Sequence, residues 1–509
     1  MDRVLSRFWI ERGRPAALPL GLALAGAGWG LVLARLEPPA AILWTLLAAL
    51  AVGTAFEPLV GLVGALLLGL LRAYLQTEVP QVPAQIGHLY VALAAAVWVA
   101  HGLARRDLRI PTPPLLLPLL GFVGAGWLSL WNATDLAAYG VPELVKWLEV
   151  LLVFLIVADR AQPRHLPWLV GGVLLVGALQ AGVGVYQFAL RGDGPDHFLI
   201  PGTDFYRAYG TFEQPNPYAG YVSMSAALAV GVVVVGFQEW WHKRRHSERV
   251  EAGFAFVFLP AIPAVLMITA LGMSWSRGAW IGFAAALGAM AVALPRRTRW
   301  GVLLAGTLVV LFLLLYATGL LPAAVVARLT DFAAGLRLED VRGVGITPAN
   351  YAVIERLAHW QSALAMWRAR FWTGVGLGCY EPAYTTFALV NWPIALGHAH
   401  NIYLNLLAET GLVGLLAYAL LWGAVLWRTW QATRRARGLA RGVAIGLLGA
   451  WVHLAMHNLF DNLYVNNVHL LVGLMLGLLA IVLTNNGTLC MQTPHSSFSR
   501  REKPLRSAS

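Results

Sequence analysis

The stretch "GHAHNIYLNLLAETGLVG", residues 397–414, places two imidazoles, His398 and His400, beside Asn401 and directly before a run that reads as a membrane helix. Working outward, that run extends over about 405–427, and the chain repeats such runs along its length. Of its 509 residues 58% are hydrophobic and 12% charged, with mean hydropathy +0.65. Soluble domains carry roughly a quarter charged residues, so this chain has too little polar surface to cover itself in water. The composition points to an all-α, polytopic integral membrane protein.

A span needs about 20 apolar residues. Fourteen segments approach this, near 16–36, 40–55, 57–75, 87–104, 113–131, 143–159, 166–190, 217–237, 254–274, 277–294, 300–320, 405–427, 440–458 and 466–484. "TAFEP" is a thin separator between the second and third, so the expectation is about 12–14 transmembrane helices. The first apolar run lacks a small-residue cleavage site and reads as a retained anchor. Basic loops fix the orientation. With both termini cytoplasmic, "ARRDLR" (104–109), "DRAQPR" (159–164), "WHKRRHSER" (241–249), "PRRTR" (295–299) and "RTWQATRRARGLAR" (428–441) all fall inside. The net charge of +12 and the pI near 10.0 then reflect topology and require no nucleic acid. The same topology separates Cys379 from Cys490, which argues against a disulfide.

The opposite side holds the loop 191–216, the turn "GMSWSRG" (272–278) and a long extracytoplasmic loop over about 321–400 bearing amphipathic helices. In that loop "YAVIERLAHWQSALAMWRARFW" (351–372) puts Arg356, His359 and Arg370 on one helical face. Trp360, Leu364, Trp367 and Phe371 form the neighbouring apolar stripe. The segment suits an interfacial helix touching lipid phosphate and equally a cationic wall over a cleft. Arg277, at the start of a span, either snorkels or marks a substrate path; guanidinium forks match phosphate oxygens. Arg207 precedes Asn216 and Pro217, an N-cap and first-turn proline pattern that makes a helix N-terminus with an adjacent arginine an anion site. A His-x-His pair supplies too few ligands for a metal site. It reads as a helix cap, a satisfied polar pocket or a general base, since imidazole takes a proton near neutrality. The glycine-rich "GVGLGCY" (374–380) reads as a tight turn, and Glu409 as a group able to orient a neighbour.

Four blocks in order, "GTFEQPNPYAGY" (210–221), "SWSRGAWIG" (274–282), "RLAHWQSALAMWRARFWTGVGLGCY" (356–380) and "HAHNIYLNLLAETGLVGLLAY" (398–418), resemble the O-antigen ligase and polymerase superfamily of bacterial membrane enzymes. The last block, with His400-Asn401 followed by Gly411 and Gly414, is the most distinctive. The resemblance implies a metal-independent, inverting glycosyltransferase without cofactor in the bacterial cytoplasmic membrane. It would move a glycan from an undecaprenyl-pyrophosphate carrier to a glycan, lipid or protein hydroxyl on the outer face. Carried over, His400 is the base, with His398 the second choice, and Arg207, Arg277 and Arg356 hold the pyrophosphate. Asn216, Asn401, Gly411 and Gly414 are structural. The expected organisation is N-terminal transmembrane helices over 1–200, a ligase-like membrane domain over 201–484, and a cytoplasmic basic tail over 485–509. A ligase acting in lipopolysaccharide assembly, a polymerase and a protein O-oligosaccharyltransferase all fit the resemblance. A lipid-linked oligosaccharide flippase is the alternative from another class. Such transporters tend to show two related halves, which this sequence lacks.

Overall fold

A computed structural model describes residues 26–72, 75, 83, 85–246, 251–335, 340–347 and 350–485. Among these the chain is helical, with two isolated β-bridges and no strand. Six helices are long and apolar enough to cross a membrane, and six more apolar helices are shorter. The expected all-α polytopic architecture is therefore the observed one. Residues 16–25 of the first anticipated span, Cys490 and the tail from 486 lie outside the described residues.

The chain divides into two compact units, residues 1–110 and 111–509. In the first, α1 (Pro38–Phe56), α2 (Pro58–Leu70) and α3 (Ile86–Ala104) pack on one another. Each of α1 and α2 starts on a proline, where the missing N–H costs nothing. Glu57 between them accepts from Leu59 N and so separates two helices that composition alone almost fuses.

The second unit holds α4 (Leu116–Ser129), α5 (Val141–Arg160), α6 (Leu166–Ala189), α7 (Pro215–Arg245), α8 (Glu251–Met273), α9 (Arg277–Ala293) and α10 (Thr298–Ala317). After them come α11 (Ala323–Gly335), α12 (Tyr351–Ala369), α13 (Tyr380–Phe387), α14 (Ile402–Arg435), α15 (Gly438–His457) and α16 (Val468–Asn485). Its centre is the α7–α15 pair. Gly442 and Gly446, spaced as GxxxG on α15, meet Gly231 of α7 backbone to backbone, and a Cβ at Gly442 would stand 2.9 Å from Val232 Cα. In lipid no hydrophobic force drives helices together, so this close approach is what gives the pair its packing energy. Helix α9 packs on α15, and α5 on α16.

The long loop contains helices, as anticipated, but the buried face of α12 differs from the stripe read in the sequence. Val353, Ile354, Leu357, Ala358, Ala363 and Met366 are buried, whereas Phe371 is exposed. Small residues fix this choice, because Ala358 and Ala363 let α12 lie close against α13 and α14 while the tryptophans flank the contact.

Candidate functional site

Helix α14 is not continuous. Gly411 has φ 63° and ψ −164° inside it, a conformation open to glycine and costly for any other residue. The break frees two carbonyls and two amides, and all four are satisfied by one segment. Val375 N and Gly376 N donate to Ala408 O and Glu409 O, both at 2.9 Å. Leu412 N and Val413 N donate to Phe371 O at 3.0 Å and Trp372 O at 3.2 Å. The glycine-rich stretch 373–378 is thus a splice that lies against a broken helix. Gly374 and Gly376 have positive φ and sit against backbone atoms of Glu409 and Ala133. Glu409, read earlier as orienting a neighbour, is buried and accepts from Tyr380 N at 3.2 Å. It holds this splice, away from the histidines. Gly411 and Gly414 are structural for these reasons; at Gly414 a side chain would overlap Thr410.

The first half of α14 begins at Asn401, whose side chain accepts from Tyr403 N (3.0 Å) and Leu404 N (3.1 Å). Its amide donates to Leu459 O, and Ile402 N to Asn458 O at 3.0 Å. The histidine loop is therefore stitched to the turn 458–464 that follows α15. His400 is held at φ +51°, a left-handed conformation that a non-glycine residue adopts at a cost. Its amide donates to His398 Nδ1 at 3.1 Å. That contact puts the His398 proton on Nε2, which faces Asp461 Oδ1 at 3.8 Å. Burial, and then the His400 imidazole, push His398 down to about 4, so its ring is neutral near pH 7.

Asp461 is the hub. His400 Nδ1 lies 3.6 Å from Asp461 Oδ1, and neither ring nitrogen of His400 has a hydrogen-bond partner. Asn462 N donates to Oδ1 and Asn216 Nδ2 donates to Oδ2, both at 2.8 Å. Burial alone would raise the carboxyl. The facing His400, His398 and His457 imidazoles outweigh it and hold Asp461 below its ordinary range. Asn216 Oδ1 accepts from Arg207 Nη2 (3.1 Å) and Ser276 Oγ (2.9 Å). A hydrogen-bonded line thus runs from Arg207 through Asn216 to Asp461, facing His400. This corrects the reading of Asn216 as an N-cap. Helix α7 starts at Pro215 with Gln214 at the cap position and no side-chain cap bond, which frees the Asn216 amide for the site.

Beyond Asp461 opens a cavity of about 200 Å³ bordered by Arg207, Arg277, Arg328, Arg356 and His457. Arg207 Nε donates to Ser274 O at 2.9 Å, and Arg328 to Trp275 O at 3.2 and 3.4 Å. Arg356 Nη1 donates to Ala352 O at 2.9 Å, while its buried Nε has no partner. Burial, and then the Arg328, Arg356 and Arg277 guanidiniums, bring Arg207 down to about 9. Burial lowers Arg356 too, with Asp461 pulling the other way. Four guanidiniums thus border one cavity, with the Asp461 and Glu355 carboxylates acting on Arg356, so the cavity is charged to receive an anion. The structure brings Arg207, Arg277 and Arg356 to one cavity and adds Arg328, Asp461 and His457, which the sequence reading missed. Arg370 stands exposed at the end of α12 and does not join them.

On the other side of His400 lies His359, with ring centroids 5.9 Å apart and an interplanar angle of 81°. His359 Nδ1 meets Tyr380 Oη at 3.0 Å, Tyr380 Oη donates to His359 O at 3.1 Å, and Tyr384 stacks on the ring. Burial, and then His400, lower His359 to about 4. The ring is a neutral wall that fixes where His400 can turn.

His398, His400 and Asp461 bring ligand atoms within 4.8 Å of one another. Their chemistry does not suit a cation. His398 Nε2 carries its proton, both Asp461 oxygens already accept hydrogen bonds, and the Arg207 and Arg356 guanidiniums act on the carboxylate.

Residues 262–419 match the family model of O-antigen ligase. The chain carries an O-antigen ligase domain. Over those residues, 158 of the chain's 509, the segment is similar to the O-antigen ligase/polymerase superfamily. No curated protein gives a significant match. The ligase match contains Arg277, Arg328, Arg356, His398, His400 and both structural glycines. Arg207, Asn216 and Asp461 lie outside it, and the fold returns all three to the site.

Proposed function

We propose that the protein transfers a glycan from an undecaprenyl-pyrophosphate donor to an acceptor hydroxyl at the outer face of the bacterial cytoplasmic membrane. The observation that carries this reading is the cavity of four arginines next to a carboxylate–imidazole pair. A pyrophosphate in the cavity faces guanidinium forks whose geometry matches its oxygens, and its charge offsets their mutual repulsion.

The chemistry follows from the placement. His400 directs Nδ1 at Asp461, leaving Nε2 as the base nitrogen. The acceptor hydroxyl attacks the anomeric carbon and its proton passes to Nε2. The bond from that carbon to the phosphate oxygen breaks, and its electron pair stays on the oxygen. The arginines stabilise the charge that grows there, in place of a divalent ion. Asp461 stabilises the imidazolium that forms and keeps the ring turned. Attack opposite the leaving group inverts the anomeric centre. General-base assistance of this kind contributes on the order of 10²–10⁴-fold.

The test is reconstitution. Purified protein in liposomes receives an undecaprenyl-pyrophosphate glycan and a panel of lipid, glycan and protein acceptors, with products followed by mass spectrometry. Expected is transfer with inverted configuration to one acceptor class. A donor that crosses the bilayer intact, with no product, would replace this reading by transport.

A further inference from the structure

One buried titratable pair has no part in the mechanism above. His457, the last residue of α15, borders the arginine cavity, and His453 stands one turn before it. Their rings lie 5.3 Å apart, edge to face at 77°. Both side chains are buried, at 1% and 0% exposure, and neither His453 nitrogen nor His457 Nδ1 has a hydrogen-bond partner. Burying such a group without a partner costs about 1–3 kcal/mol, so an imidazole kept there needs a reason.

Helix α9 makes the room. A Cβ at Gly278 would stand 2.9 Å from His457 Cδ2 and 3.2 Å from His457 Nε2. One at Gly282 would stand 3.0 Å from His453 Nδ1. Two glycines a turn apart thus face two histidines a turn apart. Gly278 itself borders the cavity beside Arg277, so the Nε2 edge of His457 is the edge at the cavity wall, while Nδ1 is enclosed by protein. His457 ends α15 at the cavity wall and offers it one nitrogen.

We propose that His457 is a further catalytic residue, donating a hydrogen bond from Nε2–H to a phosphoryl oxygen of the leaving lipid pyrophosphate. His453, packed edge to face on it, positions the ring. The proposal rests on the pyrophosphate reading of the cavity. In the transfer step the electron pair of the broken carbon–oxygen bond settles on the departing phosphate. The acceptor proton goes to His400, and the His457 proton stays shared between Nε2 and phosphate oxygen. No further reactant enters. The arginines supply charge, and His457 supplies a neutral donor of fixed direction at the oxygen end of the cavity.

The experiment measures binding of undecaprenyl pyrophosphate in mixed micelles, and transfer from the glycan donor, for wild type, His457→Leu, His457→Gln and His457→Asn. Gel-filtration profiles report folding. A glutamine amide reaches the place of Nε2 and an asparagine amide that of Nδ1. Loss of one such hydrogen bond to a charged group weakens binding about 10-fold or more. Expected is that loss in Leu and Asn, with Gln within about threefold of wild type. Equal losses in Gln and Asn, or no loss in Leu, overturn the proposal and leave His457 a packing residue. Should Leu not fold, the Gln and Asn pair decides alone. Wild-type protein that fails to bind undecaprenyl pyrophosphate defeats the pyrophosphate reading itself, and this proposal with it.

Discussion

Four half-buried guanidiniums border one cavity, and an anion there should relieve their mutual repulsion. Arg207 falls from its ordinary guanidinium value to about 9, first through burial and then through Arg328, Arg356 and Arg277. Its folded value lies below its unfolded value, so the unfolded chain binds more protons between them. Stability therefore rises as pH climbs from about 9 towards the ordinary guanidinium value, and the penalty is fully present below about 9, neutral pH included. At about 1.4 kcal/mol per tenfold in proton affinity, the depression amounts to about 5 kcal/mol. The test adds inorganic pyrophosphate to purified protein at pH 7 and follows the thermal unfolding midpoint. At about 100 times its Kd the ligand contributes about 2.7 kcal/mol, a rise on the order of a few degrees. Arg328→Gln removes the charge that acts most strongly on Arg207. It gives up hydrogen bonds to Trp275 O that are long, at 3.2 and 3.4 Å. The variant's ligand-free midpoint should be no lower than that of wild type, while it binds pyrophosphate about 10- to 150-fold more weakly. An unchanged affinity in the variant, or an equal rise with sodium chloride at matched ionic strength, would refute the reasoning.

His400→Ala should lower the single-turnover rate of transfer by on the order of 10²–10⁴-fold with donor binding retained, whereas His398→Ala should lower it less; donor binding lost in step with rate would remove His400 from the base role. Asp461→Asn keeps the Asn216 contact but loses the charge facing His400 Nδ1, so the transfer rate should fall with donor binding retained; an unchanged rate counts against the pairing. Gly411→Ala places a Cβ against the Trp372 carbonyl at φ 63°. It should cost several kcal/mol, read as a lowered unfolding midpoint, and a midpoint equal to wild type would show that the break in α14 is not fixed by this contact. Transfer should be unaffected by prolonged EDTA treatment, and restoration of a lost activity by a divalent ion would contradict the electrostatic argument against a cation at Asp461.

Much of this site was legible because its chemistry is unusual in its setting. An arginine at the start of a span and a histidine pair before one stand out from an apolar chain, since lipid makes such residues expensive unless they have work to do. Arg277 and the histidine pair stand out that way, whereas Arg207 is read from its place before a helix start and Arg356 from the helical face of 351–372. Arg328 is not singled out, because "VVARLTD" reads as any amphipathic surface turn, and only the return of α11 to Trp275 gives it meaning. Asp461 and His457 carried a signal that went unused. "MHNLFDN" is a polar cluster between two of the most apolar runs, and the same reasoning that isolated Arg277 applied to it.

Asn216 shows a different limit. Both Pro215 and Pro217 suit a first helical turn, so the pattern Asn-Pro fitted a cap as well as the structure's own start two residues earlier. Whether an asparagine caps a helix or bridges an arginine to a carboxylate turns on that two-residue shift. Nothing local decides it. What decides it is Asp461, 245 residues on in the chain, whose Oδ2 accepts the Asn216 amide. Gly411 is similar. Within "AETGLVGLLAY" it looks like one glycine in a continuous helix, and the break becomes necessary only when 371–376 arrives to take the four freed backbone groups. Sequence pattern therefore located some of the charged groups, Arg207, Arg277 and Arg356 among them. The neutral groups that link them, Asn216 and the glycines of the splice, are defined by contacts between distant segments and become visible only in the folded chain.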